Sequence, residues 1–363
     1  MEFNSVPSLL HITSVRIALR LLQDIEIEKM LDLDIMRPYR LNSFDRGRHD
    51  LWKLIEKTAM EKLPPLPPSL PIQVAKFIRQ MHYEFVSWLL DHNLMSEEKG
   101  CCINYRKFIC WKTDGTINRI KTAEKFIEDE EIEHPDRLIV ACNYLFVCDI
   151  LRLWRQRKVS GTENVTRAGN NSAVRVWMHL LTKGNKKHVH EVFRDFFRTE
   201  CLSESDIPLR LSSYFRFLSL ECRRDYLVNY SFAIHADDFR LCLFQMSEQE
   251  RTELFQTMPR VVLMNYLNWP LQYLFLKMAK ELVQYLDLAD FENIMDGMLS
   301  FLFLNEYDYA SLFKEFWTII PDCFKVELRK DIKRFKPFEI ILNYDRKLYS
   351  KSLVETLAEY CYE

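Results

Sequence analysis

The stretch from Leu138 to Leu151 carries apolar side chains around almost the whole circumference of a helix. Asn143 and Asp149 are its main polar interruptions. A helix without a polar face must be covered on both sides by other structural elements. The stretch therefore predicts an inner helix of a layered helical protein, the second helix of a hairpin over residues 103–154 whose two arms are joined by an acidic turn.

Glycine is scarce in this chain. It has 7 glycines in 363 residues, about 2 %, whereas about 7 % is usual. Tight turns and nucleotide-binding loops need glycine where the backbone adopts positive φ, and helices joined by short polar turns do not. The scarcity of glycine indicates an all-α fold.

Apolar residues at helical spacing predict helices over residues 8–23, about 48–62 and 71–94. The proline-rich segment 63–71 separates the last two, because proline fixes φ and lacks an amide proton. Residues 24–36 alternate acidic and apolar side chains, and we expect an acidic linker there rather than an isolated strand.

The polar segment 155–172 is the best candidate for a boundary between regions of the chain. It divides the sequence into an N-terminal helical region, residues 1–154, and a C-terminal region, residues 173–363, of short helical blocks separated by a few polar residues. That rhythm is typical of helix-turn-helix repeats.

The dipeptide Asn-Tyr occurs five times, at 104–105, 143–144, 229–230, 265–266 and 343–344. Chance would give fewer than one occurrence from the 16 Asn and 16 Tyr of the chain. The intervals of 39, 86, 36 and 78 residues are near one or two units of roughly 36–43 residues, a length typical of helical repeats. We therefore predict degenerate helix-turn-helix repeats stacked as an ankyrin-like or HEAT-like α-solenoid.

The block from Trp111 to Trp154, with its W-x-x-DGTI and ACNYLFVCDILRLW segments, is similar to sequences in uncharacterised arthropod families of ankyrin-like helical repeats. The N-terminal PSLLHITSVRIAL has the same character, so the resemblance covers about the first 160 residues. It implies a helical-repeat fold and no particular activity.

The charge and cysteine content restrict the classes of partner and the compartment. The net charge of −2 gives no overall attraction to nucleic acid or an anionic membrane. Ten cysteines, which occur mostly singly in apolar surroundings, indicate reduced thiols. The sequence has neither a signal-peptide pattern nor an apolar run of membrane-spanning length. We expect a cytoplasmic or nuclear protein that is not secreted.

The motifs of serine hydrolases, P-loop proteins, dinucleotide-binding proteins and zinc proteases are missing. His188 and His190 diverge on a helix and do not predict a metal site. The adjacent Cys101 and Cys102 have no histidine nearby in sequence, and we interpret them as incidental thiols. We therefore predict no catalytic residues, no cofactor and no metal.

Ser8-Leu9-x-x-x-Thr13-x-x-x-Ile17 resembles the BC-box pattern by which ubiquitin-ligase adaptors of the SOCS-box type present a helix to elongin. The resemblance implies that Leu9 enters a pocket of the partner and that Thr13 and Ile17 follow one and two turns later. Thr13 stands where the pattern usually has Cys. Pro64 and Pro67, in Leu63-Pro64-Pro65-Leu66-Pro67, resemble the cullin-contacting element but lie about 40 residues away.

Helical-repeat folds offer extended surfaces rather than closed pockets, so we expect a non-enzymatic scaffold that binds other proteins. The first alternative is a substrate-recruiting adaptor of a cullin-type ubiquitin ligase. The second is an enzyme whose site is assembled from distant residues and leaves no local motif.

Overall fold

A computed structural model describes residues 7–35, 46–67, 69–92, 94, 104–160, 172–183, 189–199, 210–231, 234–304, 308–345 and 352–362. These residues form 20 α-helices, a few 3-10 turns and no β-strand beyond one isolated antiparallel bridge between Trp111 and Ile117. The all-α prediction is confirmed. None of the described helices is long and apolar enough to cross a membrane.

The chain divides into two compact units. Among the described residues, unit 1 takes 87–112 and 117–254, and unit 2 takes 7–86, 113–116 and 255–362. Residues 161–171, the centre of the polar segment predicted as a boundary, lie outside the described residues. A boundary there stays a prediction.

The first helices of unit 2 begin where side chains satisfy their free backbone N–H groups. The Ser8 hydroxyl accepts from the His11 N–H at 3.2 Å. The Asp24 carboxylate accepts from the N–H groups of Glu26 at 3.0 Å and Ile27 at 3.3 Å. Such capping is typical of helix N-termini. The helices are α1 (Leu9–Leu21), α2 (Ile25–Ile35), α3 (Arg46–Glu61) and α4 (Ser69–Asp91), of which α4 also contributes its last residues to unit 1.

The prediction of an acidic linker over residues 24–36 was wrong, because this stretch contains helix α2. Ile27 and Leu31 are both fully buried, and Asp34 is 1 % exposed on the same face. The spacing of these three residues is that of a helix. Their burial against α3 decides the conformation, whereas the alternation of acids and apolar residues is only a surface pattern.

The predicted single apolar helix over 138–151 is two helices, because the backbone turns at Leu145 with φ 60° and ψ 40°. The Phe146 N–H returns to the Ala141 carbonyl at 3.0 Å and the Leu145 N–H to the Cys142 carbonyl at 3.2 Å, which closes the first helix. The helices of this part of the chain are α5 (Arg119–Glu128), α6 (His134–Tyr144), α7 (Val147–Ser160), α8 (Ser172–Lys183), α9 (Val189–Thr199), α10 (Leu211–Tyr214), α11 (Leu220–Asn229), α12 (Ala236–Gln245) and α13 (Glu248–Thr257).

The C-terminal helices of unit 2 pack in a regular order. Each packs on the next helix or the next but one: α14 on α15 and α16, α15 on α17, α16 on α17 and α18, and α17 on α19, with α20 against α19. The even-numbered helices α14, α16 and α18 thus contact one another in sequence, and so do the odd-numbered helices α15, α17 and α19. They are α14 (Pro259–Tyr266), α15 (Gln272–Leu282), α16 (Leu288–Leu304), α17 (Tyr309–Ile319), α18 (Asp322–Leu328), α19 (Ile332–Asn343) and α20 (Leu353–Tyr362).

Two buried tyrosines, one in each unit, make the same pair of hydrogen bonds. In unit 2 the Tyr309 hydroxyl donates to the Leu267 carbonyl, directly after α14, at 2.6 Å and accepts from the Gln272 amide at 3.1 Å. In unit 1 the Tyr214 hydroxyl donates to the Cys142 carbonyl and accepts from the Trp177 indole N–H. Each hydroxyl therefore donates to a carbonyl at or just after the C-terminal end of a helix. The Cys142 carbonyl also accepts from the Leu145 N–H.

Four of the five Asn-Tyr dipeptides lie at the C-terminal ends of helices, namely of α6, α11, α14 and α19. In two of them the Asn amide donates to the carbonyl four residues earlier, Asn143 to Ile139 at 3.1 Å and Asn265 to Val261 at 2.9 Å. Asn104 differs, because it caps the start of a 3-10 turn.

Candidate protein-docking surface

The residues that resemble a BC-box lie on the outer side of α1. Leu9 is 83 % exposed, and Thr13, one turn later, is also exposed. Ile17 is half-buried at the edge of this face. Leu10, which the sequence pattern does not include, is 53 % exposed beside Leu9. An isolated exposed leucine is ordinary, but two adjacent ones at the start of a helix form a small apolar surface.

The inner side of α1 is held by specific contacts, so the outer side is presented in a fixed orientation. The His11 ring nitrogen Nε2 lies 2.8 Å from the Asp114 carbonyl oxygen, to which it donates in the matching tautomer. The ring also packs against Phe77 and Trp269, with centroid distances of 4.7 and 6.0 Å. Val15 and Ala18 are buried on the same side.

The turn that His11 contacts consists of residues 114–116, with the sequence DGT. The Asp114 carboxylate accepts from the Thr116 N–H at 2.9 Å and from its hydroxyl at 2.6 Å. Gly115 has a φ of +89°, and a Cβ atom at this position would lie 2.9 Å from a carbon of the Trp269 ring. Only glycine fits this backbone and this close approach. The segment that carries the family resemblance therefore has a structural role in unit 2.

Pro64 and Pro67 are exposed on the segment between α3 and α4. Lys62, just before this segment, makes ion pairs with Asp24 at 3.0 Å and Glu26 at 2.9 Å. These hydrogen bonds raise the pKa of Lys62 and lower that of Asp24. The ion pairs bring the start of the proline segment to the turn between α1 and α2.

The proline segment thus begins near the C-terminal end of α1, whereas Leu9 is at its N-terminal end, about 18 Å away along the helix axis. A shallow depression of about 690 Å³ lies at this turn, open to solvent. It is lined by Gln23, Asp24, Ile25, Glu26, Lys29, Met30 and Lys62.

The residues most reminiscent of an active site are two partly buried ion pairs in unit 1. Arg119 and Asp91 form an ion pair at 2.6 Å, and Lys112 and Asp237 form another at 3.1 Å. Burial raises the pKa of Asp91, but the positive charge of Arg119 more than offsets this effect, so the pKa lies below its usual value. Each acid has a basic partner, so these groups are arranged to neutralise charge rather than to transfer protons.

His92 lies beside the Asp91–Arg119 pair, and its ring stacks on Tyr144 at a centroid distance of 5.8 Å. Its Nδ1 lies 2.7 Å from the Trp88 carbonyl oxygen, and its Nε2 is shielded from solvent. Burial lowers the pKa of His92 to about 4, against the weaker effects of the Trp88 hydrogen bond and the Asp91 charge. The ring is therefore neutral at physiological pH.

A second buried network ties α2, α3 and α4 together in unit 2. Asp34 accepts from Arg48 at 2.9 Å, and His82 Nε2 lies 3.1 Å from its other carboxylate oxygen. Burial raises the pKa of Asp34, but His82 and Arg48 overcome this and the net shift is downward. The network joins three helices at a buried point.

No group of three or more His, Cys, Asp or Glu among the described residues is arranged to hold a metal ion. Cys101, Cys102 and His188 lie outside the described residues. Sequence reasoning missed the buried pairs because their members are 28 and 125 residues apart. It also missed Leu10, although its position beside Leu9 in an apolar pair was a usable signal.

No protein-family model, curated protein or solved structure matches this chain.

Proposed function

We propose that the chain is a non-enzymatic scaffold that binds other proteins through the surface of stacked helices. The observation that supports this proposal is the packing of α14 to α19, in which each helix contacts the next or the next but one. Helices stacked in this way expose long, continuous faces, which suit extended protein partners.

The finer proposal is a degenerate ankyrin-like or HEAT-like solenoid of helix-turn-helix repeats. Two features support it: the position of four Asn-Tyr pairs at helix ends, and the recurrence of the tyrosine hydrogen bonds with a donor 37 residues ahead of the tyrosine in each unit. Asn104-Tyr105, at the start of a 3-10 turn, does not follow the pattern.

A second candidate function is that of a ubiquitin-ligase adaptor in which α1 binds the ligase. The exposure of Leu9 and Thr13 on one side of α1 favours it, because a helix that inserts a leucine into a partner must leave that leucine accessible. Pro64 and Pro67 are accessible too. In this proposal the stacked helices bind the substrate of the ligase.

Affinity purification of the tagged full-length chain from insect cells separates the two functions, with mass spectrometry of the proteins that co-elute. The test variant is Leu9→Ala and the matched control is Leu54→Ala, because Leu54 is 51 % exposed on α3. Thermal melts of both variants establish that they fold.

Elongin and a cullin with the wild type and Leu54→Ala, but not with Leu9→Ala, would support the adaptor. A reproducible set of other proteins with all three would support the scaffold. If none of the three chains retains a partner, both functions are contradicted.

A further inference from the structure

We propose that the outer face of α1 docks onto an acidic, partly apolar surface of a partner protein, with Leu9 against apolar side chains and Arg16 and Arg20 against carboxylates. The inference rests on the second function proposed above, since it takes α1 as a docking element. It adds the electrostatic character of the partner, which Leu9, Thr13 and Ile17 alone do not define.

Arg16 and Arg20 lie on the same side of α1 as Leu9 and Thr13, and all four residues are exposed. At 100° per residue their side chains leave the helix within about 60° of one another. Along the axis, Arg16 is about 10 Å and Arg20 about 16 Å from Leu9. The face is therefore apolar at its N-terminal end and cationic over its C-terminal half.

Neither arginine has an ion-pair partner among the described residues. Asp24, four residues after Arg20, is the nearest acid in sequence, but its carboxylate pairs with Lys62 and caps α2. Lys62 also forms an ion pair with Glu26. Asp24 and Glu26 are thus already paired, and within the described part of the chain the positive charge of this face has no acidic partner.

The position of Arg20 has a second explanation, because a cation in the last turn of a helix complements the helix dipole. Arg16 lies a turn earlier, where this effect is weak. Two guanidinium groups one turn apart on an exposed face match carboxylates on a protein, since each forms paired hydrogen bonds with a carboxylate.

An anionic membrane is a poorer fit than an acidic protein. The apolar part of the face consists of two leucines, which is little area for insertion into lipid. Helix α2 follows after a short turn and carries Glu28 and Asp32. An extended anionic membrane would meet these acids as well as the arginines, whereas a local acidic patch on a protein need contact only α1.

The test is a binding titration of the purified full-length chain, monitored by fluorescence anisotropy. The probe is a synthetic amphipathic helical peptide with leucines along one face and glutamates at one end of that face. Its counterpart carries lysines in place of the glutamates. The test variant is R16E/R20E, and the control is R194E/R224E, which reverses two exposed arginines of α9 and α11 for which the structure gives no ion pair.

We expect the wild type and the control to bind the acidic peptide at least tenfold more tightly than the lysine peptide, with affinity falling as salt rises. The R16E/R20E variant should prefer the lysine peptide. A preference that is missing, or that survives in R16E/R20E, would overturn the proposal. So would binding to vesicles of phosphatidylserine and phosphatidylcholine that R16E/R20E abolishes while neither peptide binds.

Leu9→Ala distinguishes this inference from the second proposed function, in which α1 binds a ligase. If Leu9→Ala weakens peptide binding and R16E/R20E leaves the preference unchanged, α1 is a docking helix and the charge inference alone is wrong. If neither change matters for the peptides or for co-purified proteins, α1 is not a docking element.

Discussion

The Tyr309 hydroxyl donates a hydrogen bond to the Leu267 carbonyl oxygen at 2.6 Å, across 42 residues of sequence. It joins the first residue of α17 to the end of α14, and both residues are buried. Tyr309→Phe removes the hydroxyl and leaves the carbonyl and the Gln272 amide without this partner. An unsatisfied buried polar group costs about 1–3 kcal/mol.

We therefore expect Tyr309→Phe to lower the free energy of unfolding by about 1–3 kcal/mol, measured by urea denaturation. The control is Tyr273→Phe, since Tyr273 is 49 % exposed. Equal stability of Tyr309→Phe and Tyr273→Phe would mean that the hydroxyl contributes nothing to the packing of α14 and α17.

Leu145 is the residue of positive φ at which α6 ends. A left-handed conformation costs a residue with a Cβ atom about 1–2 kcal/mol, and glycine avoids that cost. Leu145→Gly and Leu145→Ala both remove the leucine side chain, so the difference between them isolates the backbone. We expect the glycine variant to be the more stable by about 1 kcal/mol in chemical denaturation. Within a helix the order is the reverse, so an alanine variant of higher stability would argue against the turn at Leu145.

Gly115 combines a φ of +89° with a ring carbon of Trp269 at 2.9 Å from any added Cβ. Gly115→Ala should lower the thermal midpoint by several degrees, because the turn must strain or the ring must move. Gly297→Ala is the control, since Gly297 lies inside α16 and its closest neighbour is the flexible end of Met264. We expect a small change there, because alanine favours the helix while Met264 moves aside. Equal thermal midpoints of Gly115→Ala and Gly297→Ala would show that the turn accommodates a Cβ atom at position 115.

His92 makes stability depend on pH because its folded-state pKa is about 4. The unfolded chain, with an ordinary histidine pKa near 6.5, takes up the proton first. Protonation of His92 therefore does not reduce the free energy of unfolding above about pH 6.5, and it reduces that free energy as the pH falls from 6.5 toward 4. At pH 5 the loss is about 2 kcal/mol relative to neutral pH.

The comparison is urea unfolding at pH 7 and pH 5 for the wild type and His92→Phe. Phenylalanine keeps a ring against Tyr144 and cannot take up a proton. We expect a smaller pH dependence in the variant by about 2 kcal/mol, whatever its stability at pH 7. The same pH dependence in both proteins would assign the effect to other groups.

The helical class and the approximate bounds of α1, α3 and α4 could be predicted from the sequence, because helical spacing and proline are local signals. The conformation of α2 could not, since it depends on the burial of Ile27 and Leu31 against α3. The break at Leu145 was also hidden, because leucine rarely adopts positive φ and a continuous apolar run gives no hint of a turn.

The candidate docking face was only partly visible in the sequence. The helical spacing of Leu9 and Thr13 could be read from the sequence. Both residues are exposed, as a docking face requires. The sequence does not reveal that Lys62, about 40 residues after Arg20, pairs with Asp24 and Glu26, the acids that follow Arg20 most closely along the chain. Such competition for charges arises only in the folded chain.

The two tyrosine hydroxyls receive their hydrogen bond from an indole in one unit, at Trp177, and from a carboxamide in the other, at Gln272. Substitution tables score tryptophan and glutamine as dissimilar, yet here both only need to aim one N–H at an oxygen. Either donor position therefore tolerates a replacement that still aims one N–H at the hydroxyl oxygen, and it does not tolerate one that removes the N–H.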